Sequence, residues 1–292
     1  MRTSVHTLAL GVLVFETCAQ RFRRLRKNDK MSANQEQSKA EGPQSGMGLP
    51  SMEAQRRFWD WHWGHWKERK IINEWTLKRG DEILKIVQSL ALNQPEILDF
   101  GCGKGWFTEQ LASVGNATGI DLSEEAIAMA KLRSPQITFI AGNVYDFPLQ
   151  PEHYDIVVSQ EVLTHVEDQA GYLNRADRVL KTGGYLIIAC ANKFVMDRLG
   201  DVGWNVQPPD HISWYPHMKD LKRLLQPKFK ILHSTTILPV GQGGILRFIN
   251  SYKLNRTLSW LIPPRYIDAL KERAGFGYQL MVLAQKRGPA NR

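Results

Sequence analysis

The stretch ILDFGCGKGWF (residues 97–107) decides the fold. An apolar run of strand type over 97–100 breaks at Gly101, Gly103 and Gly105, and a helix opens from about Trp106. Glycines at those places let the backbone turn sharply and let a ligand approach with no Cβ in the way. The next apolar run, 117–121, ends on the carboxylate of Asp121, suited to accept hydrogen bonds from ribose hydroxyls. Ser123 then reads as the N-cap of a helix, with Glu125 in its first turn. This succession opens a doubly wound α/β sheet that carries a nucleoside-bearing ligand.

The spacing from Asp99 is D-x-G-x-G-x-G, not the G-x-G-x-x-G of dinucleotide sites. A carboxylate at the first strand end suits a cationic ligand, such as one with an amino group and a sulfonium; a pyrophosphate would need that corner for itself. Here the chain resembles the class I S-adenosylmethionine-dependent methyltransferases. The resemblance covers roughly residues 95–240 through DFGCGKG, GIDLS, AGNVYDFP, YDIVVSQEVLTHV and LKTGGYLII, in the family's order. It implies a Rossmann-like seven-stranded sheet of order 3-2-1-4-5-7-6 with the last strand antiparallel. It also implies S-adenosylmethionine as cofactor, with Asp99 and the Gly101, Gly103 and Gly105 loop at its methionine end. Asp121 falls to the ribose, Leu122 to one face of the adenine, Asn143 and Val144 to the adenine edge, and Gln160 to the amino group.

Size and composition fit one large or two small domains: 292 residues, 43% hydrophobic, with no apolar run of membrane-spanning length. Cys18, Cys102 and Cys190 show neither metal-ligand nor disulfide spacing, which favours a reducing, cytoplasmic setting. The net charge of +9 gathers near the start, where residues 1–30 hold seven Lys/Arg against Glu16 and Asp29. The remainder is only mildly basic, which argues against nucleic acid as partner. Residues 2–19 imitate an export signal, but Glu16 and the run RFRRLRK behind it oppose that reading. An organelle presequence and a true start at Met31 both remain open for residues 1–30. Residues 31–51 read as disordered linker.

Residues 52–94 read as an N-terminal helical cap, and 95–292 as the methyltransferase domain. In RRFWDWHWGHWKERK, Trp59, Trp63 and Trp66 share a helical face, with His62 beside it. That face either packs on the domain or forms a lid over the ligand. A second helix is expected over 79–92, and strands over 137–141, 154–159, 185–191, 229–238 and 278–285, with Lys181-Thr182-Gly183-Gly184 as the turn before the fifth strand. An insertion of about 240–276 precedes the last strand. Ile245, Phe248, Ile249 and Tyr252 sit there at helical spacing, giving a hairpin over sheet hydrophobics, a substrate-side cap, or a membrane-surface helix.

The segment Ser159-Gln160-Glu161-Val162-Leu163 lacks the Asp/Asn-Pro-Pro-aromatic motif of base-amino methylation, and Pro208-Pro209 falls too late to supply it. Cys190 reads as inert strand packing, not as a nucleophile for cytosine methylation. His165 in EVLTHV resembles the same position in ubiquinone-type O-methyltransferases. His211 in PPDHISWYP, between Asp210 and Trp214, resembles a segment that crosses the acceptor pocket. The expected reaction is methyl transfer to a small, apolar or aromatic acceptor, most simply at oxygen. His211, near its unperturbed pKa of about 6.5, is favoured as base, and His165 as alternate or orienting partner. An RNA or protein methyltransferase and a non-catalytic S-adenosylmethionine-binding protein are the rivals. Acceptor, oligomeric state and membrane contact stay open.

Overall fold

In a computed structural model the described residues are 50–65, 73–199 and 211–288. Residues 1–49, Trp66 and the Pro208-Pro209-Asp210 run lie outside them.

Helices α1 (Met52–His65) and α2 (Glu74–Ser89) precede β1 (Glu96–Phe100), α3 (Trp106–Leu111), β2 (Asn116–Asp121), α4 (Glu124–Arg133), β3 (Thr138–Ala141) and β4 (Tyr154–Gln160). There follow a 3-10 turn at Leu163–His165, α5 (Gln169–Val179), β5 (Leu180–Ala191), α6 (Lys193–Met196), α7 (Met218–Leu225) and β6 (Phe229–Pro239). Three short helices, α8 (Ile245–Ile249), α9 (Tyr252–Leu258) and α10 (Pro264–Arg273), lead to β7 (Gly277–Lys286). The sheet runs β3-β2-β1-β4-β5-β7-β6, with β7 antiparallel to both neighbours. This is the order that the resemblance implied.

Strand parity sorts the core. Leu98 and Phe100 of β1 point to the face covered by Tyr172, Leu173 and Ala176 of α5 and by Leu221 and Leu225 of α7. Ile97 points to the opposite face, with Ile83 and Val87 of α2 and Phe107 and Leu111 of α3. Asp99 shares the parity of Ile97 and so turns its carboxyl toward α3.

Three elements differ from the sequence expectation. The second helix occupies Glu74–Ser89, not 79–92, because Asn73 caps it, its side chain accepting from the Thr76 N–H at 2.8 Å. The fifth strand begins at Leu180, and the Lys181-Thr182-Gly183-Gly184 turn is a bulge inside it: Tyr154 opposes Leu180, whereas Ile156 opposes Tyr185. The insertion is no two-helix hairpin. Ile245 and Ile249 lie on α8, but Tyr252 starts α9 after a break at Asn250-Ser251, and the chain breaks again before Pro264.

Candidate active site

The loop after β1 is held at the carboxyl edge of the sheet. The Gly101 and Cys102 N–H groups both donate to the Ile120 carbonyl, at 2.8 and 3.1 Å. Gly101, Gly103 and Gly105 have φ of 88°, 52° and 72°. A Cβ on Gly101 would overlap Val162, and one on Gly103 would lie 2.9 Å from the Trp63 ring. Any side chain here would therefore meet a backbone conformation it disfavours and an occupied space.

Asp99 is 2% exposed and accepts from the Thr108 hydroxyl at 2.7 Å. Burial pushes its carboxyl up to about 7, against the Thr108 hydrogen bond and with help from Asp121. Asp121 accepts from the Gly103 N–H at 2.7 Å and from the Ser123 N–H at 2.9 Å. Burial raises its pKa as well, opposed by those amides, with Asp60 adding repulsion. Two carboxyls held this way favour a cation between or beside them. Beside the Gly103, Leu122 and Ser123 amides, the Asp121 carboxylate keeps acceptor capacity for a ligand hydroxyl.

Beside Asp121 opens a cavity of about 370 Å³, lined by Leu122, Ala141, Gly142, Asn143 and Asp146 and by Met52 and Arg56 of α1. Its volume falls in the range of small-ligand sites. Asn143 is partly committed to its own turn, donating to Asp146 at 2.8 Å and accepting from the Tyr145 N–H at 3.1 Å. Asp146 brings a carboxylate to the same wall. Val144 is not among the cavity-lining residues; its side chain packs against the core and its carbonyl accepts from Arg175 at 2.9 Å. Gln160 ends β4, and its side-chain oxygen accepts from Arg79 at 3.1 Å.

Helix α1 lies across this edge. Asp60 accepts from the Ser123 hydroxyl at 2.6 Å and from the Glu125 N–H at 3.3 Å, and Arg56 pairs with Glu124 at 2.7 Å. Trp63 sits over Gly103, with the Lys104 ammonium 5.4 Å from its ring. Trp59 meets the rings of His165 at 5.1 Å and His211 at 5.6 Å. One helix thus carries both a packing stripe and a roof over the loop.

His165 and His211 stand 4.6 Å apart, ring centre to ring centre. His165 Nδ1 lies 2.9 Å from the Ile212 carbonyl. A carbonyl only accepts, so Nδ1 carries the proton and Nε2 keeps its lone pair. His211 Nδ1 bonds to the Ser213 hydroxyl at 2.9 Å. Burial lowers the pKa of both rings: His165 through desolvation, against the Ile212 carbonyl and Glu161, and His211 to about 3, with His165 and His62 adding repulsion. His62 falls to about 4, again chiefly by burial. The expectation of a His211 near 6.5 is corrected: Phe58, 5.1 Å away, and Trp59 remove water from the ring.

Sequence reading passed over Glu161. It follows β4 with φ 57°, pairs with Arg79 of α2 at 3.3 Å, and accepts from Gln279 of β7. Its left-handed backbone sets it next to Val162, which packs on Gly101, and the only local signal was an acid directly after a buried strand. Cys190 lies in the core, where burial pushes its thiol well up and keeps it protonated. Among the described residues no group of three His, Cys, Asp or Glu could hold a metal ion.

The sheet order, glycine loop and acid at the end of β2 together form a Rossmann-like fold with a corner suited to a nucleoside-bearing ligand. Residues 98–188 match the family described as a methyltransferase domain. The ubiquinone biosynthesis O-methyltransferase of Nitrosomonas europaea is 32% identical over 45% of this chain and 58% of its own length. That of Hydrogenovibrio crunogenus is 36% identical over 38% and 48%. The chain thus spans about half the length of these curated relatives. The magnesium protoporphyrin IX methyltransferase of Synechocystis PCC 6803, solved with S-adenosylmethionine bound, shares the fold at TM-score 0.55 and 15% identity, over 84% of this chain and 100% of that one. Over residues 98–188 the chain is thus similar to methyltransferase domains, and together these findings support a class I S-adenosylmethionine-dependent methyltransferase.

Proposed function

We propose that the protein methylates a hydroxyl on a small, partly apolar or aromatic acceptor, with S-adenosylmethionine as donor. When bound, that cofactor supplies an electrophilic methyl group on a cationic sulfur. The residues present fit it: the Asp99–Asp121 pair suits its charge, the glycine loop leaves room for close approach, and the cavity at Leu122, Asn143 and Asp146 suits its base. Cofactor roles for Gln160 and Val144 rest on the family resemblance alone.

The acceptor proton must leave as its oxygen attacks. The observation that carries this reading is His165, whose Nδ1–H is fixed on the Ile212 carbonyl so that Nε2 can take a proton. Glu161 favours the imidazolium that results. His211, with its pKa near 3, is a weak base; we assign it to orienting His165 and, with Trp59 and Phe58, to excluding water. These roles exchange those expected from the sequence. Oxygen as the methylated atom is supported by the names of the ubiquinone biosynthesis O-methyltransferase relatives.

The test is transfer of isotopic methyl to the small-molecule, RNA and protein fractions of a cell extract, with purified wild-type protein and His165→Ala. Label should enter the small-molecule fraction. The variant should lose about 10²-fold or more in turnover while keeping its cofactor affinity. Label in RNA or protein, or a variant near wild-type turnover, would overturn the proposal.

A further inference from the structure

The insertion between β6 and β7 leaves large apolar side chains uncovered. Trp260 is 85% exposed, Leu261 84% and Phe248 72%, and Tyr252 and Tyr266 are exposed beside them. Only Leu246 and Ile267 of its helices are buried, so these two anchor α8 and α10 while the bulkier residues face outward. The helices touch in sequence, α8 to α9 and α9 to α10, so the exposed residues sit on adjoining elements. An apolar area of this kind on a folded chain marks an interaction surface.

Charge says what covers it. Between Val240 and Ile267 the chain holds Arg247, Lys253, Arg256 and Arg265, and no Asp or Glu. All four are exposed, and among the described residues none is ion-paired with a carboxylate. We propose that residues 245–266 form a docking surface for an anionic phospholipid bilayer, with Trp260, Leu261 and Phe248 entering the interface and the four cations meeting lipid phosphates. A second copy of the chain is a poor occupant, because a twofold contact would set this cationic surface against itself. Anionic headgroups complement it, each Lys or Arg near the surface contributing roughly fivefold in partitioning. The placement is consistent. Pro239 and Gly277 are paired across β6 and β7, so the insertion leaves and returns at the carboxyl edge of the sheet, where the glycine loop and Asp121 lie.

The proposal does not depend on methyl transfer, and its test needs none. Flotation with phosphatidylcholine vesicles, with and without about 30% phosphatidylglycerol, should show at least about tenfold stronger binding to the anionic vesicles, weakened by about 0.5 M salt. Trp260→Ser/Leu261→Ser and Arg247→Glu/Arg256→Glu should each lower that binding by about tenfold or more. Both variants alter exposed residues, so their circular dichroism and cofactor affinity should match wild type. Equal binding to both vesicle types, or none, would overturn the proposal. So would sedimentation showing a dimer that Trp260→Ser/Leu261→Ser dissociates, since the surface would then belong to a second copy.

Discussion

Replacing His211 with Gln should flatten the acid side of the stability profile. The His211 imidazole has its pKa lowered from 6.5 to about 3 by burial, so the folded protein keeps it neutral where the unfolded chain takes up a proton. Its contribution is fully present above pH 6.5 and is lost as pH falls toward 3. At about 1.4 kcal/mol per pH unit, going from about pH 7 to pH 5 costs up to about 2 kcal/mol. His62, lowered to about 4, adds a loss of the same sign. Asp99 opposes both. Raised from 3.8 to about 7, its contribution is complete below 3.8 and lost as pH rises through 7. The wild-type slope therefore mixes opposing effects, and only the difference between the two proteins isolates His211. Urea unfolding of both proteins at about pH 7 and pH 5 provides that difference. With an m-value of about 3 kcal/mol/M, the wild-type midpoint should fall by roughly 0.7 M more than that of His211→Gln. Equal midpoint changes would mean that the ring is solvated in the folded state. Its weakness as a base, and the exchange of roles with His165, would then lose their physical basis.

Two further substitutions probe the cofactor half. Gly101→Ala places a Cβ at φ 88° and into Val162, so it should cost about 2 kcal/mol or more, read as a fall of roughly 4–8 °C in Tm. An unchanged melting curve would show that the loop can adopt another path. Asp121→Ala should weaken S-adenosylmethionine and its demethylated product by about 1.5–3 kcal/mol in calorimetry, through loss of charge-assisted hydrogen bonds. Wild-type protein that ignores both ligands but takes up a nicotinamide dinucleotide would refute the assignment of this corner.

What the sequence disclosed was local. The strand, the glycine loop and Asp121 lie within 25 residues, and Ser123 declared itself as a cap because its partner, the Ala126 N–H, is three residues away. The acidity of His211 was hidden, since Phe58 and Trp59, which dry it, come from a helix far up the chain. Glu161 was hidden for the same reason: Arg79 is 82 residues before it and Gln279 is 118 after it. The breaks in the insertion escaped notice because helical spacing reports a face and not whether one helix carries it. Asn250-Ser251 and Pro263-Pro264 were the local evidence against a continuous helix.

The reversed course of β7 bears on how this chain could be remade. Because Pro239 and Gly277 are register partners, the ends of the 240–276 connection are pinned together by sheet hydrogen bonds, whatever lies between them. Closing such a loop depends only weakly on its length, about 0.6 kcal/mol for each doubling. Outside its buried anchors Leu246 and Ile267, the segment is accordingly exchangeable. A shorter or foreign connection that keeps these anchors can be grafted between Pro239 and Gly277 without moving Asp99, Asp121 or the glycine loop, and what the protein docks against can be altered while its cofactor grip is inherited intact.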